Sequence, residues 1–150
     1  IRRQRQMCIR DSHCISFEDK IKRLGGLDIQ VLGIGQNGHI GFNEPGSNIN
    51  SQTRLVTLDH LTRFDATPAF NGLDNVPRKA ITVGIKTILS AKRIILLAWG
   101  TNKSDIIQKA IEGEINSNLI LETFKPKSLE NNIRVKKVKK TSNLSVFFDF

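Results

Sequence analysis

The sequence predicts an α/β fold, with an open sheet of mainly parallel strands and helices on both of its faces. Segments with helical apolar spacing alternate with short apolar runs, and one run, Arg93–Ala98, is apolar enough for a strand buried on both faces. A chain of 150 residues with 39% hydrophobic and 25% charged residues is long enough to bury the core of one such domain.

The predicted elements alternate regularly along the chain. Phe17–Leu24 has apolar residues at helical spacing and ends at two glycines, and Asp28–Leu32 is a short apolar run typical of a strand. A polar loop rich in Gly, Asn and Ser follows from Gly33 to Thr53. The remaining predicted elements are strands at Arg54–Leu58, Ala80–Val83 and Arg93–Ala98 and helices at Ile85–Ala91 and Asn102–Glu112, the last expected to stop at Gly113.

The excess of positive charge lies at the two ends of the chain. Of the formal net charge of +9, residues 1–12 contribute +3 and residues 119–150 contribute +4, so that 13–118 carry only +2. Because a nucleic-acid-binding domain shows a basic face within its folded part, no nucleic-acid partner is predicted. Residues 1–12 lack apolar periodicity and are expected to be non-native or disordered, and 119–150 are expected to form a divergent or frame-shifted basic tail.

Membrane and metal sites are not indicated by the sequence. No apolar run reaches the length of about 18 residues that a membrane-spanning helix needs. Cys8 and Cys14 lack the second pair of ligands that a zinc site would require, so free thiols are expected. These patterns predict a cytoplasmic protein with no membrane partner and no metal.

The polar loop has the G-x-G-x-x-G spacing of dinucleotide-binding loops at Gly33, Gly35 and Gly38. That fingerprint requires a helix that starts within the glycines, so that its N-terminus faces the pyrophosphate. Gly41 and Pro45-Gly46 break any such helix in this chain. Nicotinamide binding is therefore not predicted.

The same loop carries a histidine and a carboxylate, His39 and Glu44. In an open parallel sheet the loop would lie at the carboxyl end of a strand, where ligands bind. The histidine can move a proton near neutral pH, and the carboxylate can orient it and stabilise its charged form. Taken alone, such a pair more often belongs to a structural histidine bonded to a turn.

The complete string Leu32–Gly46, LGIGQNGHIGFNEPG, resembles the signature of the glucosamine-6-phosphate deaminases. The resemblance continues through Ser51–Arg54, Asn75–Gly84 and Ala110–Gly113, and it covers about residues 13–118. It implies conversion of glucosamine 6-phosphate and water to fructose 6-phosphate and ammonia, without a metal or organic cofactor. It also implies a partial Rossmann-like fold from which the N-terminal half of the family's domain is missing.

The resemblance assigns catalytic roles to three loop residues. His39 corresponds to the group that shuttles the proton during ring opening, and Glu44 corresponds to its orienting and charge-balancing partner. Asn37 stands where many relatives carry an Asp that also contacts this histidine. An amide cannot bear charge, so the pH dependence of ring opening is expected to differ.

The resemblance also implies two binding sites. The substrate-binding residues would be Gly33, Gly35, Gly38 and Lys103, of which the lysine binds the sugar phosphate. Ser47 and Arg54 match positions of an effector site for N-acetylglucosamine 6-phosphate in some hexameric relatives. The implied partner is thus a small amino-sugar phosphate, and intact family members are often homo-oligomers.

Three departures from the family pattern stand out. Pro68 replaces a phosphate-binding arginine, so phosphate binding is expected to weaken or to move to Arg63 or Arg78. Val56 replaces a basic residue of the effector site, which counts against that regulation. The N-terminal half, which supplies a phosphate loop and the base that removes the C2 proton, has no counterpart here, so the 150 residues alone are expected to be inactive.

Two other functions stay open from the sequence. The 6-phosphogluconolactonases share the architecture and a similar glycine–histidine loop, but that loop typically continues differently after the histidine, so the deaminase reading is preferred. A non-catalytic sugar-phosphate-binding module also fits the chain, because the base and the phosphate loop are absent.

Overall fold

The computed structural model describes residues 2–98, 100–112, 136–140 and 143–149. Two short 3₁₀ turns lie at Leu73–Asn75 and Thr101–Lys103. The helices and strands are α1 (Arg2–Arg23), β1 (Ile29–Gly33), β2 (Arg54–Thr57), α2 (His60–Phe70), β3 (Lys79–Thr82), α3 (Ile85–Leu89), β4 (Arg93–Ala98), α4 (Ser104–Glu112), β5 (Lys136–Lys140) and β6 (Asn143–Asp149).

The strands form one four-stranded sheet and one two-stranded ladder. The four-stranded sheet has the order β1-β4-β6-β5, and β1 runs parallel to β4 with Ile29 opposite Arg93 and Gly33 opposite Leu97. The pairs β4–β6, β5–β6 and β2–β3 are antiparallel. The α/β prediction is confirmed, with β1 and β4 as the parallel pair that positions the polar loop.

Described residues at both ends of the chain form regular structure. α1 begins at Arg2, so residues 2–12, expected to lack regular structure, continue the helix that was predicted from Phe17. The physical reason is that Arg and Gln are good helix formers and that no Gly or Pro interrupts the chain before Gly25. At the other end, β6 pairs with β4 from Ile95 to Ala98, so part of the segment expected to be a divergent or frame-shifted tail joins the sheet. The predicted stop at Gly113 lies outside the described residues.

The core lies between the four-stranded sheet and the helices. β4 alternates buried and half-buried positions, because the residues on one of its faces point into the core. Burying one such side chain fully stabilises the fold by roughly 1.5–3 kcal/mol. The buried cluster consists of Leu32, Ile34, Ile40, Ile85, Ile88, Ile94, Leu96, Ala98 and Ile107.

A buried carboxylate fastens α1 to the rest of the fold. Glu18 is only 7% exposed, and its Oε1 accepts hydrogen bonds from Thr53 N at 2.7 Å, Thr53 Oγ1 at 2.5 Å and Thr87 Oγ1 at 2.8 Å. Burial alone would raise the pKa of Glu18, but the hydrogen bonds from both threonines and the nearby charge of Lys22 together lower it. The ionised carboxylate therefore joins α1, the segment before β2, and α3.

The segment before β2 also caps α3. Ser51 Oγ accepts from Ile85 N at 3.1 Å and Ser51 O accepts from Lys86 N at 3.0 Å, so two free donors of the helix N-terminus are satisfied by a distant loop. The backbone of residues 51 and 52 occupies the space that a side chain at Gly84 would need. A glycine is therefore required where α3 meets this loop.

We predict that Glu18→Ala lowers the free energy of unfolding by about 2–3 kcal/mol, because it leaves Thr53 N–H and the buried Thr87 hydroxyl without an acceptor. Chemical denaturation of the full natural polypeptide that contains this sequence measures the change. The matched control is Asp19→Ala, which removes an exposed carboxylate paired with Lys22 at 3.7 Å and should cost under about 1 kcal/mol. Equal losses in the two variants would contradict the assignment.

The same measurement has a pH dependence. Because the pKa of Glu18 is lowered in the folded state, its stabilisation is present above the unfolded value of about 4.3 and is lost as pH falls through the folded value. The difference between wild type and Glu18→Ala should therefore shrink below pH 4.

Candidate active site

The loop from Ile34 to Thr53 folds tightly at the carboxyl end of β1. Isolated bridges join Ile34 to Ile40 and Ile40 to Asn43, and Ile40 is fully buried. Asn43 is also fully buried, and its Nδ2 donates to Ile40 O at 3.0 Å and to Val83 O at 2.9 Å. The hydrogen bond from Asn43 to Val83 O thus holds the loop against the end of β3.

Two glycines shape the part of this loop that holds the histidine. Gly38 has φ +88°, a left-handed conformation that favours glycine, and its N–H donates to Gly35 O at 3.1 Å. At Gly35 the imidazole ring of His39 fills the space that a Cβ would occupy. Any larger residue at position 35 would displace the ring.

Asn37 links His39 to Glu44. Asn37 Oδ1 lies 2.6 Å from His39 Nδ1 and also accepts from His39 N at 3.1 Å. Asn37 Nδ2 donates to Glu44 Oε2 at 2.8 Å, whereas Glu44 Oε2 is 3.8 Å from His39 Nδ1. The carboxylate therefore acts on the imidazole mainly through a bridging amide.

A threonine of α2 closes this network. Thr62 is buried, and its hydroxyl donates to Glu44 Oε1 at 2.7 Å and lies 3.2 Å from His39 Nδ1. The Thr62 hydroxyl donates its proton to Glu44, so its oxygen can only accept from His39 Nδ1. The Asn37 amide nitrogen also donates to Glu44, which leaves Asn37 Oδ1, an acceptor, facing the ring. His39 Nδ1 therefore carries the proton, and Nε2 is left with a free lone pair.

His39 is neutral near pH 7. Burial lowers the pKa of His39 and the charge of Lys103 lowers it further, which outweighs the opposite effects of Glu44, Asp65 and Asp59. A neutral imidazole with a free Nε2 can accept a proton, and the carboxylate behind it stabilises the imidazolium that results.

His39 opens into a cavity of about 410 Å³. Lys103 lies on its wall, and Nζ donates to Ile34 O at 2.7 Å, which uses one of its three donors. Burial lowers the pKa of Lys103, and Asp65 opposes that effect. The cavity is lined by Gly33, Ile34, Gly35, His39, Gly41, Phe42, Thr62, Asp65, Ala66 and Lys103.

A larger groove of about 650 Å³ lies along α1, and it contains neither the histidine nor the lysine of the first cavity. It is lined by exposed residues of that helix, including Ile15, Asp19 and Lys22. None of the residues predicted to bind or react lines it. The described residues also contain no group of three or more His, Cys, Asp or Glu side chains that could hold a metal ion.

The structure brings most of the predicted residues together. Gly33, Gly35, His39 and Lys103 line the cavity, while Asn37 and Glu44 lie behind the histidine and Gly38 turns the loop. The two residues predicted for an effector site lie away from the cavity wall: Ser47 N donates to Glu44 O at 3.0 Å, and Arg54 Nη1 donates to Asn43 Oδ1 at 2.9 Å.

The predicted substitutes for a phosphate-binding arginine do not line the cavity. Arg63 Nη2 donates to Leu73 O at 2.9 Å and to Val76 O at 3.3 Å, so this guanidinium holds the turn after α2. Arg78 is exposed outside the cavity wall. In the described part of the wall, Lys103 is the cation available to an anionic group.

Sequence reasoning missed α2 and with it Thr62 and Asp65. The apolar side chains of this helix are largely exposed and Pro68 lies within it, so neither periodicity nor composition indicated a helix. The signals that were present are its ends: Asp59 accepts from Leu61 N at 2.8 Å as the N-cap, and Asn71 takes the left-handed conformation at the C-cap.

Comparison with known proteins identifies the family of this chain. Residues 8–131 match the family model described as glucosamine-6-phosphate isomerases/6-phosphogluconolactonase. The chain is 52% identical over 106 residues to a glucosamine-6-phosphate deaminase of Clostridium novyi (strain NT), which covers 71% of this chain and 44% of that protein. It is 48% identical over 108 residues to glucosamine-6-phosphate deaminase 1 of Bacillus subtilis (strain 168), covering 72% and 45%.

A solved structure shares the fold. The structure of a monomeric glucosamine-6-phosphate deaminase matches with a TM-score of 0.73 and 43% sequence identity, covering 79% of this chain and 49% of that one. The chain thus spans somewhat under half the length of the relatives compared. Since the family match extends over most of the chain and includes the loop, α2 and Lys103, the chain belongs to the glucosamine-6-phosphate isomerase/6-phosphogluconolactonase family.

Proposed function

We propose that this chain carries the ring-opening part of a glucosamine-6-phosphate deaminase active site. The observation that supports the proposal is the network of His39, Asn37, Glu44 and Thr62 at a cavity that also holds Lys103. The intact enzyme would convert glucosamine 6-phosphate and water to fructose 6-phosphate and ammonia.

Ring opening needs one proton to leave the C1 hydroxyl and one to reach the ring oxygen. His39 Nε2 accepts the first proton, the bond between C1 and the ring oxygen breaks, and the same imidazolium returns a proton to that oxygen. Glu44 stabilises the transient positive charge through Asn37, and Lys103 binds the phosphate. The base that removes the C2 proton is assigned to the part of the relatives' length that this chain does not span.

The setting of this enzyme follows from the same proposal. Its partner is a small amino-sugar phosphate, and we place the reaction in the cytoplasm. No helix in the described part of the chain is long and apolar enough to cross a membrane. The homo-oligomer expected from the resemblance stays a prediction, and the solved relative is described as monomeric.

His39→Gln in the full natural polypeptide tests the proposal. Gln keeps much of the shape of the side chain but cannot accept and return a proton, so ammonia release from cyclic glucosamine 6-phosphate should fall about 10²–10⁴-fold. An open-chain analogue that cannot cyclise bypasses this step and should be slowed far less. His60→Gln, at an exposed histidine outside the cavity, is the matched control. Equal slowing of the cyclic and open-chain compounds would refute the ring-opening role.

Asn37→Asp should move the low-pH limb of ring opening to higher pH. A carboxylate 2.6 Å from His39 Nδ1 favours the imidazolium and so raises the pKa of His39, which the wild-type site keeps lowered. Because the first step requires neutral His39, activity is then lost at a higher pH as the solution is acidified. The pH profile of ammonia release measures the shift, and Asn48→Asp on the exposed part of the loop is the control. A profile that does not move would count against the Asn37 bridge.

Thr62→Val should slow ring opening about tenfold, which corresponds to about 1.4 kcal/mol in the barrier. The substitution preserves shape but removes the donor to Glu44 and one acceptor at His39 Nδ1. Thr62→Ser restores the hydroxyl and should recover most of the rate. Thr67→Val, on the same helix with a hydroxyl bonded to Arg63 O, should have little effect on the rate. A Ser variant as slow as the Val variant would show that Thr62 acts through packing alone.

A further inference from the structure

α2 places a second polar side chain at the cavity, one turn after Thr62. Asp65 lines the same wall as His39 and Lys103, and its Oδ1 accepts a long hydrogen bond of 3.5 Å from Gln36 Nε2. Its carboxylate is exposed. The proton transfers of ring opening make no use of this residue.

Asp65 differs in charge from the other residues that line the described cavity. Among the described residues that line the cavity, Asp65 is the one carboxylate and Lys103 the one permanent cation. Asp65 lines the cavity together with His39 and Lys103, and its negative charge acts to raise the pKa of both of these groups. In the described part of the chain, Asp65 forms no ion pair that would neutralise it.

The substrate of the proposed reaction carries its own positive charge near this carboxylate. If His39 acts at C1 and the ring oxygen, the adjacent carbon, C2, bears an amine that is protonated over much of the neutral range. A bound amino sugar thus presents an ammonium within one carbon of the atoms at His39. A free carboxylate on the same wall is the group that such an ammonium requires.

We propose that Asp65 is a specificity-determining residue that selects the cationic 2-amino group of the substrate over the neutral hydroxyl of an ordinary sugar phosphate. This inference rests on the proposed function, because the place of C2 is set by the role of His39. Asp65 also has an opposite effect on the other end of the ligand, since a negative charge near Lys103 weakens the binding of any phosphate. The effect of Asp65 on the amine can be distinguished from its effect on the phosphate by comparing two ligands that carry the same phosphate but differ in having an amine or a hydroxyl at C2.

The test uses two alditols, glucosaminitol 6-phosphate and glucitol 6-phosphate. They differ only in the group at C2, and neither can react, because they have no ring to open and no carbonyl to isomerise. Their dissociation constants are measured by calorimetry at pH 7 on the full natural polypeptide and its Asp65→Asn variant. We expect the wild type to prefer the amine and the variant to lose about three- to fivefold of that preference, the range of an exposed charge pair.

Three controls make the result specific. Asp65→Glu keeps the charge and should keep the preference, and Asp74→Asn makes the same substitution at an exposed carboxylate outside the cavity and should leave it unchanged. Raising the pH through the titration of the amine should abolish the wild-type preference. Thermal unfolding of each variant confirms that the fold is retained.

Two outcomes would overturn the proposal: no preference for the amine in the wild type, or an unchanged preference in Asp65→Asn. If the preference is unchanged because both alditols bind more tightly by the same factor, Asp65 acts on the phosphate through Lys103 alone. The proposed function is tested separately by ammonia release from glucosamine 6-phosphate. Because the alditols cannot react, a failure of selectivity and a failure of catalysis are distinguishable.

Discussion

The buried amide of Asn43 is the contact on which the geometry of the site depends. This side chain has no exposed surface, and each of its polar atoms is bonded: Nδ2 donates to Ile40 O and Val83 O, and Oδ1 accepts from Arg54. It therefore joins the loop that carries His39, the end of β3 and the start of β2. Because an unsatisfied buried amide costs several kcal/mol, a shift of the loop that broke the contacts of Asn43 with Val83 O and Arg54 would be costly.

The site controls the charge of its histidine with a neutral bridge. In the more direct arrangement a carboxylate would contact the imidazole and hold it protonated, whereas here Asn37 lies between His39 and Glu44. The negative charge is close enough to stabilise an imidazolium formed during the reaction, but burial keeps the resting ring neutral. With asparagine as the bridge, the imidazole of His39 can be neutral at rest, and its protonated form can still be stabilised by Glu44.

The sequence predicted the parts of the structure that local pattern determines. β4 was predicted at its observed bounds because a continuous apolar run has one plausible place in an α/β sheet. The roles of His39, Asn37 and Glu44 were implied by the resemblance of their continuous loop segment to a family signature. Thr62 could not be predicted, since its partners Glu44 and His39 lie 18 and 23 residues away and meet it only after α2 packs on the loop. The pairing of β6 with β4 was not predicted, because the sequence pattern of a segment does not show which distant strand it pairs with.

The contact between His39 and Gly35 has a consequence for the motion of the ring. The imidazole lies directly against a position that has no side chain, with the Asn37 amide and the Thr62 hydroxyl at Nδ1. Its rotation is therefore restricted before any ligand arrives, and the rotamer entropy of this side chain is lost during folding and not during binding. A ligand that enters the cavity then meets an imidazole whose orientation is already set, so binding need not order that ring.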